Sequence, residues 1–174
     1  MTERYAYFVR IHPPEFTVER PASLWRQAPG GWQFWSTIDW SWYGMPAEAA
    51  DDPPPSSGLV RVAEQRATEL ASDRHGWVRY WALHRGTRPG SGWRSGAGAD
   101  SPFAEPTTLV RRRLSPERQL DEVFGARNMW RPTDLVTRYE RTGLPDAAGL
   151  VEIDRYAAEL ITHRLTGSRG AIEL

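Results

Sequence analysis

Three groups of side chains in this 174-residue chain have types and spacings that could do chemistry. The densest is aromatic: five of the nine tryptophans fall between Trp25 and Trp42, and Tyr43 follows directly. Such rings stack on flat ligands, hold cations over their faces and anchor protein interfaces. They also fill the cores of small sheets, so their alternation matters. In Trp40-Ser41-Trp42-Tyr43 the consecutive aromatics must point to both faces of an extended strand. One interior cannot take them all, and at least one of Trp35 and Tyr43 is expected to cover a second layer, a groove or a partner. Trp35, Trp40, Trp42 and Tyr43, with Arg26 beside them, form the expected recognition surface.

The second group is arginine interleaved with polar and aromatic residues: Arg10, Arg26, Arg79, Arg85, Arg94 and the run Arg111-Arg112-Arg113. The planar guanidinium fork suits phosphate or carboxylate. On a strand, Arg111 and Arg113 share one face while Arg112 opposes them. With Arg79 and Arg85 they could make an anion-binding face; alternatively they mark a solvated edge strand that charge keeps from aggregating. Trp93-Arg94, in a Gly/Ser-rich stretch, could close over a ligand. The third group is titratable: His12, Glu15, Asp39, His84 and Glu105. Histidine is the natural base near neutral pH, and a carboxylate can orient it. His12 and His84 are therefore the candidate catalytic bases.

Several chemistries are excluded outright. Cysteine is absent, which removes disulfides, thiolate metal sites and thiol nucleophiles. All 22 basic residues are arginine, which removes a Walker A lysine and Schiff-base chemistry. Lysine codons are A-rich, so this points to a GC-rich, bacterial genome. The only approach to G-x-G-x-x-G is Gly90-Ser91-Gly92 with Gly96, one residue too wide and without a flanking strand and helix. H-E-x-x-H, G-x-S-x-G and an EF-hand loop are absent, and the four histidines lack metal-ligand spacing. No metal and no cofactor are expected. Net charge is zero at a pI near 6.9, without the basic excess of a duplex-binding domain. No apolar run approaches the ~18 residues of a membrane span, and Met1–Ala6 lacks a signal-peptide pattern, so a cytoplasmic location is expected.

The elements that must position these groups follow from local pattern. Tyr5–His12 reads as a strand stopped by Pro13-Pro14, and Phe16–Arg20 as a short second one. Ser23–Gln27 and Gly31–Tyr43 flank Ala28-Pro29-Gly30, a turn signal, and predict a β-hairpin. Leu59–Ser72 carries a helical stripe (Leu59, Val62, Ala63, Ala67, Leu70, Ala71). Gly76–Arg85 and Thr107–Leu114 read as strands. Ser115-Pro116 suggests a helix start with Gly125 closing it; helices are also expected from Pro132/Thr133 to Thr142 and over Asp154–Thr166. The whole is one α+β domain over 1–174: an N-terminal antiparallel, aromatic-rich sheet with one internal helix, then a C-terminal group of about three short helices. Residues 45–58 and 86–106 read as connectors.

These features suit a non-catalytic cytoplasmic binding protein whose Trp/Arg-rich sheet surface holds a protein partner or a polar or anionic ligand. Two alternatives stand beside it. One is an enzyme for an anionic nucleotide or nucleic-acid substrate, with Arg79, Arg85 and Arg111–Arg113 on phosphate and His12 or His84 as base. The other is a single-stranded nucleic-acid binder that stacks bases on tryptophan.

Overall fold

A computed structural model describes residues 5–45, 57–85, 106–125, 128–142, 148–168 and 172. The chain is mixed α+β, with two antiparallel five-stranded sheets and three α-helices, so strands dominate. It divides into two compact units: Met1–Trp77 with Arg113–Gln119, and Val78–Arg112 with Leu120–Leu174. No helix among the described residues is long and apolar enough to cross a membrane.

In the first unit, β1 (Ala6–Arg10), β2 (Ser23–Ala28), β3 (Gly31–Ser36), β4 (Ser41–Gly44) and β5 (Leu59–Val62) form a sheet in the order β4-β3-β2-β1-β5. The expected hairpin is β2–β3, with Ala28 opposite Gly31. Side chains alternate along each strand, so register sorts the aromatics. One cross-strand row reads Arg61, Phe8, Trp25, Phe34, Tyr43. The opposite face carries Val9, Leu24, Trp35 and Trp42, and packs under Ala67 and Leu70 of α1 (Glu64–Ser72). Val9 and Leu24 are fully buried there, each contributing about 1.5–3 kcal/mol by leaving water.

The expected single arm Gly31–Tyr43 is instead two strands. The Ser36 hydroxyl accepts hydrogen bonds from the Ile38 and Asp39 amides (3.2 and 3.4 Å), turning the chain. Trp40 closes that turn at φ 58°, a left-handed conformation uncommon outside glycine, asparagine and aspartate. The turn resets the alternation, so Phe34 and Tyr43 share a face although one is even-numbered and the other odd. The expected helix Leu59–Ser72 likewise begins late: Leu59–Val62 pairs with β1, and the β-branched Val60 and Val62 suit that pleated surface. The expected strand Phe16–Arg20 is reduced to a single bridge between His12 and Phe16.

The second unit contains β6 (Val78–Arg85), most of β7 (Pro106–Leu114) and β8 (Gln119–Gly125), together with β9 (Met129–Pro132) and β10 (Ala148–Ile153), in the order β10-β6-β7-β8-β9. The expected C-terminal three-helix group is not what forms. Among the described residues there two helices are present, α2 (Leu135–Thr142) and α3 (Arg155–Thr166); the helix expected from Ser115 to Gly125 is a tight turn followed by β8. Ser115 and Arg118 exchange backbone hydrogen bonds around Pro116 and Glu117. Proline's fixed φ suits the second position of such a turn as well as it suits a helix start.

β8 is hydrogen-bonded between β7 and β9, and charge pairing that no local window displays ties its side chains to β7. Arg112 donates to both Asp121 oxygens at 2.7 and 2.8 Å, and to Glu140 at 2.6 Å. Arg111 meets Glu122 at 2.7 Å and lies over the Trp130 ring at 4.3 Å. Burial works against the Arg112 charge, but the hydrogen bonds to Asp121 and Glu140 outweigh it and hold its pKa above the ordinary value. On the Arg112 face Trp81, Leu83, Val110, Val136 and Leu150 form an apolar cluster.

Candidate functional site

The Trp25, Phe34 and Tyr43 part of the cross-strand row forms the floor of a cleft in the first unit. Phe34 and Tyr43 stack with centroids 6.1 Å apart and planes 21° apart; Trp25 meets Phe34 edge-on at 5.8 Å. Trp25 is held by an indole N–H bond to the Ser23 hydroxyl at 2.8 Å. Ile38 and Asp39 rise from the β3–β4 turn, Gly44 and Met45 continue β4, and Pro116, Glu117 and Arg118 close the opposite wall. The enclosed space is about 470 Å³, within the ordinary range for small-ligand pockets.

The wall at 113–119 is tied to the β3–β4 turn by five hydrogen bonds. The Thr37 hydroxyl donates to the Leu114 carbonyl at 2.9 Å, and the Thr37 amide donates to the Ser115 hydroxyl at 3.2 Å. The Arg113 guanidinium donates to the Thr37 and Ile38 carbonyls at 3.3 and 3.1 Å. The Ser36 hydroxyl donates to Glu117, as does that of Ser115. Both Glu117 oxygens thereby accept from neutral hydroxyls. Asp39 accepts the Tyr43 phenol at 2.8 Å, and that bond, reinforced by the negative charges of Asp39 and Glu117, holds the phenol pKa above its usual value of 10.0.

Tyr43, expected at a groove or partner, is 44% exposed in this cleft. Trp35 and Trp42 lie on the other face, 5.5 Å apart and edge-on, against the α1 core. Arg26 is sandwiched there between Tyr5 and Trp42, 4.2 and 4.4 Å from their ring centres, with its Nε donating to the Gln33 side-chain amide oxygen at 2.5 Å. Trp40 lies beneath Arg74 at 5.4 Å.

The described arginines of the expected anion-binding face each have protein partners. Arg113 serves the first unit's turn. In the second unit Arg79 is bound through two nitrogens to Glu152, at 2.9 and 2.8 Å. Arg79 and Arg112 both lie near the Trp81 ring, so the neighbouring Arg111 projects from the opposite face of the sheet. Arg85 ends β6, and its side chain lies outside the described residues, as do Trp93, Arg94 and Glu105. Of the two candidate bases, His12 is exposed and makes its bridge to Phe16 through backbone atoms. His84 is half-buried on β6, with Nε2 facing no hydrogen-bond partner.

Of the recognition residues expected from the sequence only Tyr43 lines this cleft; Asp39 is reached only as a possible acid/base group, and Trp25, Phe34, Ile38, Met45, Glu117 and Arg118 are not reached at all. Comparison with known proteins adds no assignment: no protein-family model, no curated protein and no solved structure matches the chain.

Proposed function

We propose that this protein is a non-catalytic binding protein, and that the cleft floored by Trp25, Phe34 and Tyr43 is where it holds its ligand or the side chain of a partner. The observation that carries this is the cleft itself: a concave, largely apolar space beside a few fixed polar groups, which is how ligand sites are generally built. Tyr43 supports it, because an aromatic ring 44% open to solvent beside a second stacked ring offers contact area at little cost in conformational freedom. The hydrogen bonds between residues 36–38 and 113–117 also support it, since they fix the walls before anything binds and so spare the cost of ordering them.

A fragment screen read by amide shifts tests this. Fragments are expected to move the Gly44, Met45, Glu117 and Arg118 amides together, and Ile38→Trp, which fills the space, is expected to abolish the response. Shifts confined to other parts of the chain, or none across the screen, would overturn the proposal.

A further inference from the structure

We infer that the group this cleft accepts is an organic cation, a substituted ammonium or guanidinium on a short apolar stem. The inference rests on the binding role proposed above and names the chemical class.

The aromatic floor supplies the first part of the argument. The faces of aromatic rings carry negative electrostatic potential and attract cations, most strongly where water is partly excluded. Phe34 and Tyr43 present two stacked rings, with Trp25 edge-on behind them.

The walls supply the second. Asp39 and Glu117 both line the cleft, and both are satisfied by hydroxyl donors: Tyr43 for Asp39, Ser36 and Ser115 for Glu117. A hydroxyl orients a carboxylate without neutralising it. Among the described residues neither carboxylate is in an ion pair, so no salt bridge offsets them beside the rings. Asp39 stands at the Tyr43 phenol itself, accepting its hydroxyl at 2.8 Å. Arg118 is the one positive group among the lining residues, exposed as Asp39 and Glu117 are. An anion would need Arg118 alone to outweigh two carboxylates.

The opposite face of the same sheet shows that this arrangement suits a guanidinium. There Arg26 lies between two rings, at 4.2 and 4.4 Å, with an amide oxygen at its Nε. The cleft has the rings and oxygens of such a site without a cation of its own between them.

The test uses matched probes on the intact chain, followed by the Gly44 and Glu117 amide shifts. Choline and 3,3-dimethyl-1-butanol have the same shape and differ in charge; 3,3-dimethylbutanoate adds the anionic counterpart, and agmatine a guanidinium. A cation is expected to bind about tenfold more tightly than the alcohol, with the butanoate weakest. Glu117→Gln, which removes the charge and keeps one of the two hydroxyl-accepting oxygens, is expected to weaken cation binding several-fold and so narrow the gap between choline and the alcohol. Arg118→Gln is expected to strengthen cation binding, and added salt to weaken it. Equal or tighter binding of the alcohol or the butanoate at the same amides would overturn the cationic assignment while leaving the cleft a binding site. If neither choline nor agmatine moves those amides at millimolar concentration, the assignment fails; the fragment screen then decides separately whether the cleft binds anything.

Discussion

Arg112 and Asp121 face each other through two hydrogen bonds while only 5% and 4% of their side chains remain exposed. The third partner, Glu140, is 53% exposed and reaches in from the surface. Removing Asp121 would leave a buried guanidinium with one outer carboxylate, Glu140, and the neutral Thr137 hydroxyl. Asp121→Ala is expected to destabilise the protein by about 3–5 kcal/mol, the cost typical of breaking a buried pair. The double replacement Arg112→Met/Asp121→Leu, which removes both charges, should restore most of that loss. Urea unfolding of the three proteins checks both statements; a double variant no more stable than Asp121→Ala would show that the pair is not the source.

Tyr43 gives a pH prediction. Its phenol is held above the ordinary range by the Asp39 hydrogen bond and by the charges of Asp39 and Glu117. The unfolded chain therefore releases this proton at lower pH than the folded one. Any stability linked to this group is present below the unfolded pKa and is lost as pH rises from there through the folded value. A pH titration of the tyrosine ring carbons should show Tyr43 ionising above pH 10.0, and Asp39→Asn should bring it down. No movement in the Asn variant would refute the assigned cause.

The ends of α3 are set by two local devices. Asp154 caps it by accepting the Ala157 amide at 2.8 Å, and Gly167 closes it at φ 71°. Asp154→Ala is expected to cost about 1 kcal/mol, and Gly167→Ala about 1–2 kcal/mol for placing a side chain in left-handed backbone. Chemical denaturation measures each, and the two should be close to additive because they act on opposite ends of the helix.

Gly58 is a sharper case. Its φ is +83°, its carbonyl accepts the Ile11 amide at 2.8 Å, and a methyl group there would run into the Ile11 carbonyl. Gly58→Ala should cost more than the roughly 1 kcal/mol of an ordinary strained glycine replacement and should loosen the pairing of β5 with β1. Gly149→Ala, where a methyl group meets open space, is the control. Comparable losses at both positions would mean that the close approach to Ile11 does not matter.

What could be read in advance divides along physical lines. Ala28-Pro29-Gly30-Gly31 specifies its hairpin within four residues, and Asp154 with Gly167 brackets a helix in the same way. Ser115-Pro116 is ambiguous because the same pair opens either a helix or a turn. The choice is made by Arg111 and Arg112 finding Glu122 and Asp121 on β8, a pairing that no periodicity records. Leu59–Val62 follows the same logic, since β1 recruits residues that would otherwise extend α1. The Tyr43 side of the cleft was legible as an excess of alternating aromatics. The Glu117 side was not, because the Ser36–Glu117 contact joins positions 81 residues apart.

That separation has a consequence for how the molecule is made. Translation proceeds at roughly 5–20 residues per second and early segments fold first, so the aromatic floor emerges seconds before the strip 113–119 that finishes its rim. Until then the Phe34 and Tyr43 rings stand on an open shelf, accessible to whatever apolar surface the growing chain or a neighbour presents. A fragment ending at Trp77 would keep that shelf permanently unfinished, and any attempt to isolate the amino-terminal half must graft the later strip back onto it.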